Sequence, residues 1–267
     1  MPRFCVNISV LFTEVALPER FEAAARAGFK AVEIQFPYAF DREMLSERAR
    51  LAGVEVVLIN MPVGRWEQGD RGIGCLPSRA AEFREGLQIA REYARALDCR
   101  KLNCLAGIAP PDADAGALRR AFVANLRYAA SELAKDGIEV LIEPQNTRTF
   151  PGVFLRHTRQ ALAIMDEVEA PNLRLQYDFF HMQIMEGDLA RTLETNLRRI
   201  GHVQFADVPD RHEPGTGEIN FTYLFGWLDQ LGYSGWVGAE YMPQSGTLAG
   251  LDWARPYLAP RAREGKQ

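Results

Sequence analysis

No apolar run in this 267-residue chain approaches the ~18 residues that a membrane-crossing helix requires. Positive charge is not in excess either: 31 Lys and Arg stand against 35 Asp and Glu, a formal net charge of −4. Phosphate backbones are bound by neutralising them with Lys and Arg, so neither nucleic acid nor a membrane is expected as a partner. Cysteine is sparse, and the spacing of Cys5, Cys75, Cys99 and Cys104 fits neither a zinc knuckle nor a Cys-x-x-Cys motif. The first residues, Met1-Pro2-Arg3-Phe4-Cys5, lack the long apolar segment of a signal peptide, and a cytoplasmic protein with reduced thiols is expected. Residues 9–14, which follow the first strand, contain no glycine, and no P-loop pattern occurs anywhere. That absence argues against an open doubly wound sheet, whose phosphate turn is glycine-rich.

What the chain does contain is a rhythm. Strand-like runs at residues 4–9, 30–36, 54–60, 100–105, 138–143, 172–177, 202–205 and 236–239 alternate with helical patterns at 18–27, 41–52, 78–97, 116–135, 158–168, 189–199, 221–231 and 251–258. Pro18 suits a first turn, Gly28 and Gly53 suit helix stops, and Ser78 is read as the cap of the third helix. Unbroken βα alternation predicts a parallel sheet, and eight units at this length predict a closed (β/α)8 TIM barrel. With 47% hydrophobic residues and no linker or shift in composition, residues 1–267 read as one α/β domain. The glycine-bearing loop at 61–77, with Trp66 and Arg71, is long enough to be a functional lid or a surface excursion.

The fifth strand shows where to look for chemistry. Val140-Leu141-Ile142 is apolar on both faces and ends on Glu143, and Pro144 then stops the ladder because it has no N–H to donate. In a barrel of this kind the active site lies at the C-terminal ends of the strands. Those ends read Asn7, Glu33, Asn60, Asn103, Glu143, Asp178, Gln204 and Glu240, polar throughout. Glu143, Asp178, Gln204 and Glu240 come from consecutive strands, and three converging carboxylates repel one another unless a cation sits between them. Oxygen donors select a hard divalent ion, Mg²⁺ or Mn²⁺. His181 follows Asp178 by three residues, and the polar loop after Gln204 carries Arg211 and His212 towards the mouth.

These residues resemble the hydroxypyruvate isomerase family of xylose-isomerase-like barrels over nearly the whole chain. The most specific stretches are Phe36-Pro37-Tyr38, Ile142-Glu143-Pro144 with Asn146, Gln176-Tyr177-Asp178 with His181-Met182-Gln183, residues 211–220, and Gly235-Trp236-Val237-Gly238 with Glu240-Tyr241. The resemblance implies a divalent metal held by Glu143, Asp178, Gln204 and Glu240. It also implies proton transfer by Glu143 and Glu240, and a keto-acid or sugar-acid substrate held by His181 and Arg211, with Asn7 and Asn60 as further binding candidates at strand ends. The implied reaction interconverts hydroxypyruvate and tartronate semialdehyde through an enediolate. A 2-oxo-tetronate isomerase or a ketose 3-epimerase with the same metal site is the alternative. Related sugar 3-epimerases carry a histidine where this chain has Gln204. Gln145 and Ala239 also stand where relatives often differ, which bears on substrate choice more than on chemistry. The sequence leaves a homo-oligomer open.

Overall fold

The computed structural model describes residues 1–258. Eight strands pair in sequence order, all parallel: β1 (Arg3–Asn7), β2 (Ala31–Ile34), β3 (Glu55–Asn60), β4 (Lys101–Asn103), β5 (Glu139–Ile142), β6 (Leu173–Asp178), β7 (Ile200–Phe205) and β8 (Trp236–Ala239). β8 closes on β1 through Arg3 to Val6 against Trp236 to Ala239, so the expected single-domain (β/α)8 barrel forms. Parallel neighbours need crossovers, supplied by α1 (Leu17–Arg26), α2 (Arg42–Ala52), α3 (Ala80–Ala96), α4 (Ala115–Ala134), α5 (Thr158–Val168), α6 (Phe179–Met185), α7 (Leu189–Asn196) and α8 (Phe221–Gln230), with α9 (Arg255–Leu258) after β8. No helix among the described residues is long and apolar enough to cross a membrane.

Period-2 alternation divides each strand between two environments. Phe4 and Val6, Val140 and Ile142 join the main hydrophobic cluster against the helices. Cys5, Ala31 and Leu141 point the other way, into a small interior cluster with Val57 and Leu58. Strand register then sets the polar ends side by side. Asn7 faces Glu33, Asn60 faces Asn103 and Asp178 faces Gln204.

Local differences from the sequence reading have physical causes. Ser78 does not cap α3. It lies inside a 3-10 turn, Pro77–Arg79, and Arg79 occupies the cap position without a side-chain bond. Asp114 is the working cap of α4, its carboxylate accepting from the backbone N–H of Gly116 and Ala117. Asp178 ends β6 and also caps α6, a helix that apolar periodicity over so few residues does not announce. The helix read as 189–199 tightens into a 3-10 turn at Leu197–Arg199, and most of the one read as 251–258 is the 3-10 segment Ala249–Ala254. Gly53 does stop α2, at φ 67° in the left-handed region.

Between α3 and the end of α4, Asp136 accepts from Arg91 and, at 2.6 Å, from Arg95. Those two hydrogen bonds hold its carboxyl down to about 2. A carboxylate depressed below its unfolded value of about 3.9 contributes stability above that pH and loses it as pH falls through the folded value. Asp136→Asn should therefore lower the melting temperature at pH 7 by about 2–4 °C, the shift expected for a partly screened interaction near 1 kcal/mol. The gap between the two proteins should close as melts are repeated from pH 4 down to pH 2.

Candidate active site

All eight polar strand ends are buried. Above them opens a small pocket, with a cavity volume of about 40 Å³. Glu143, His181, Arg211, Glu240 and Asn60 line it, together with Gln35, Gln176, Trp66 and Arg71. Asp178 and Gln204 sit just behind this wall.

The barrel interior beneath is organised by Glu33, which is fully buried. Its Oε2 accepts from Gln204 Nε2 at 2.7 Å and from Asn7 Nδ2 at 3.3 Å, and its Oε1 pairs with His202 Nε2 and accepts from Cys5 Sγ at 3.2 Å. Burial raises the Glu33 carboxyl, yet His202 and the hydrogen bonds from Gln204 and Cys5 outweigh it and hold the group below its ordinary value. Gly238 makes the room, since a Cβ there would lie 1.9 Å from Glu33 Oε1. Asn7 does not reach the pocket. Its amide nitrogen also donates to Glu240 Oε1 at 3.0 Å, and its oxygen accepts from Ser9 N, so its contacts hold Glu240 in place. Gln35 makes a second bond to the same Glu240 oxygen.

The three carboxylates differ in their support. Glu143 Oε2 accepts from Asn103 Nδ2 at 2.9 Å. Asp178 Oδ1 accepts from Phe180 N at 2.9 Å, whereas Oδ2 is buried with no hydrogen-bond partner. Glu240 Oε2 pairs with Arg211 Nη2 at 2.9 Å, and the same nitrogen lies 3.5 Å from Asp178 Oδ2. Burial is the main cause pushing all three upward: Glu240 to about 7, Asp178 to about 6, and Glu143 well above the carboxylate range with Glu240 and Asp178 adding repulsion. A carboxyl poised near neutrality is suited to giving and taking protons at pH 7.

His181 is buried, and that burial drops its pKa well below 6.5. Its Nδ1 accepts from the backbone N–H of Asn146 at 3.1 Å. The neutral ring must therefore carry its proton on Nε2, which faces Asp178 Oδ2 at 3.6 Å and Glu143 Oε1 at 3.9 Å. That makes His181 a hydrogen-bond donor towards the pocket. Arg211 is placed by the loop after β7, where Asp207 gathers the backbone N–H groups of Val208, Gly215, Gly217 and Ile219. Arg211 itself takes a left-handed φ of 62° and its guanidinium lies 4.9 Å over Phe180.

Glu143, Asp178 and His181 present potential ligand atoms within 4.8 Å of one another, and the unpartnered Asp178 Oδ2 is what a cation would satisfy. Glu240 joins this set through Arg211. Gln204 is linked differently: with its nitrogen on Glu33, its Oε1 accepts from Gln176 Nε2 at 2.5 Å. Sequence reasoning singled out Glu143, Asp178, His181, Arg211, Glu240 and Asn60, and the fold brings them together. It passed over Gln35, named Gln176, Asn146 and Arg71 only within motifs or a loop without giving them a site role, and noted Glu33 only as one polar end among eight.

The sequence matches the xylose isomerase-like TIM barrel family over residues 21–257. It is 49% identical to the hydroxypyruvate isomerase of Escherichia coli, over 96% of this chain and 100% of that one. It is 46% identical to the 2-oxo-tetronate isomerase of Cupriavidus necator, over 97% and 99%. Among solved structures it superposes with a TM-score of 0.94 and 47% identity on one described as AP endonuclease, family 2, from Brucella melitensis, covering 96% of this chain and 99% of that chain.

Proposed function

Because this chain belongs to the hydroxypyruvate isomerase family of xylose isomerase-like TIM barrels and is an isomerase of that type, we propose that it interconverts hydroxypyruvate and tartronate semialdehyde. The observation that carries this reading is the facing of two buried glutamates with raised pKa, Glu143 and Glu240, onto one small pocket.

The reaction is a redox-neutral rearrangement. A proton leaves the carbon that bears the hydroxyl, the enediolate forms, and a proton is returned to the neighbouring carbon that was the ketone. The hydroxyl proton passes between the two oxygens. Glu143 or Glu240 takes the first proton, and the same residue or its partner returns it. Positioned groups of this kind contribute ~10²–10⁴-fold. His181 donates from Nε2 to a substrate oxygen. Arg211 and Asn60 line the same space and orient the substrate. Glu143, Asp178, Gln204 and Glu240 are the residues we assign to a Mg²⁺ or Mn²⁺ ion. Bound there, the ion would stabilise negative charge developing on the enediolate oxygens. The free, buried cysteines suit a reducing cytoplasm.

A four-carbon 2-oxo acid is the second substrate to test, because the Cupriavidus necator relative is named for one. A panel of hydroxypyruvate, 2-oxo-tetronate and ketoses separates the isomerases from a 3-epimerase. The name of the Brucella melitensis structure suggests phosphodiester cleavage, against which stand the −4 net charge and a complement of only 4 histidines.

Removal of metal is the direct test of the ion. Chelation should abolish turnover, and Mg²⁺ or Mn²⁺ should restore it better than Zn²⁺. Gln204→His should keep the fold while shifting preference towards Zn²⁺ and Co²⁺, since imidazole suits those ions better than an amide oxygen does. Full activity in a rigorously metal-free preparation would remove the ion from the account.

A further inference from the structure

We propose that Arg71, on the 61–77 loop, is the group that binds the substrate carboxylate and so selects keto acids over neutral ketoses. This rests on the isomerase reading of the pocket and adds its substrate determinant. The starting point is charge. Three buried carboxylates, Glu143, Asp178 and Glu240, face one guanidinium, Arg211, whose Nη2 is already spent on two of them. A divalent cation among them would bring that set to neutrality. Neither arrangement leaves a positive charge over for a substrate that carries a carboxylate of its own. His181 Nδ1 accepts from the Asn146 backbone N–H, so the ring carries no second N–H to add a positive charge.

Arg71 is the other arginine lining the pocket. Its Nη1 donates to the carbonyls of Trp66 at 3.0 Å and Asp70 at 2.7 Å. The guanidinium lies 3.7 Å over the Trp66 ring, which in turn packs 6.0 Å from Phe36. Both contacts fix the plane of the group. Among the described residues no carboxylate pairs with it, because Asp70 is turned to Arg65 N and to Arg79. The Nε and Nη2 edge is left without a partner there, and that edge presents the two parallel N–H groups that match a carboxylate. Its base is rigid. Gly72 bridges Ala106, and a Cβ on Gly72 would meet the Leu105 carbonyl oxygen at 2.4 Å. The loop is thus seated on the β4–α4 connection, with a charged fork held out beside the pocket.

The test compares ligands that differ only in the carboxylate. Hydroxypyruvate and dihydroxyacetone undergo the same rearrangement, and glycerate and glycerol are their unreactive counterparts. Arg71→Gln should lose roughly 10–100-fold in kcat/KM for hydroxypyruvate, the effect of one charge-assisted contact, and under about 3-fold for dihydroxyacetone. Arg71→Lys should recover part of the loss, since it keeps the charge without the fork. Calorimetric titration of the metal-loaded protein should show that glycerate binds more tightly than glycerol to wild type, with that preference gone in Arg71→Gln. Equal losses on acid and neutral substrates, or a glycerate preference that survives the substitution or never existed, would overturn the assignment. If wild type turns over neither substrate but its glycerate preference vanishes in Arg71→Gln, Arg71 stands as the carboxylate site and the isomerase reading falls.

Discussion

Glu143→Gln and Glu240→Gln, assayed with metal in excess, should each lose about 10²–10⁴-fold in kcat, the contribution typical of a positioned acid–base group. Each amide keeps an oxygen that can face a cation but no longer accepts a proton. If the two residues served only as ligands, excess metal would rescue most of the rate. The two sites should not behave alike in detail. Glu240 is paired with Arg211 and held by Asn7 and Gln35, whereas Glu143 has one amide donor, Asn103, and the more strongly raised carboxyl. Exchange of substrate protons with solvent deuterium, measured in each variant, assigns the steps. A variant that exchanges without turning over retains the base and has lost the group that returns the proton. Rescue of both variants by metal alone would refute the proton-transfer roles and leave the ligand roles standing.

Glu33→Ala should be the most destabilising single change at the mouth, by about 3–5 kcal/mol, the range for removing one partner of a buried charged network. It would leave His202 Nε2 and Gln204 Nε2 without their acceptor in the barrel interior and would remove one of the two acceptors of Asn7 Nδ2. The Gln204 amide and the Asn7 bond to Glu240 depend on that acceptor, so activity of the folded fraction should fall as well. Glu33→Gln keeps the volume and one oxygen and should cost less. Urea unfolding of the three proteins measures this directly, and a wild-type midpoint for Glu33→Ala would show that Glu33 does not organise the site.

The eight-strand order was legible because each apolar strand run is followed by an amphipathic helix, and a closed parallel barrel fixes which ends share a mouth. That is why Glu143, Asp178 and Glu240 could be placed together from position alone. The partners of those residues were not legible. Nothing in the spacing of Asn7, Gln35 and Glu240 says that two amides converge on one carboxylate, because the contact is made across the β1–β8 seam and from the residue after β2. Arg211 reads from sequence as a loop residue carried towards the mouth to hold substrate, yet a left-handed turn held by Asp207 and Met242 also returns it onto Glu240. Arg71 was hidden in a loop whose glycines suggest motion. In the structure Gly72 is a point of close approach to Leu105. Ser78 failed as a cap because Pro77 starts a 3-10 turn that displaces the helix start by two residues.

The central claim is that this pocket isomerises a three-carbon keto acid by moving a proton between adjacent carbons. Proton NMR of the purified protein with hydroxypyruvate and Mg²⁺ in D₂O tests it without coupling enzymes. The account predicts tartronate semialdehyde rising to a fixed equilibrium ratio, without oxidant or reductant, with deuterium entering the carbons that exchange the proton. An unchanged hydroxypyruvate spectrum after prolonged incubation with Mg²⁺, and again with Mn²⁺ removed before measurement, would contradict it.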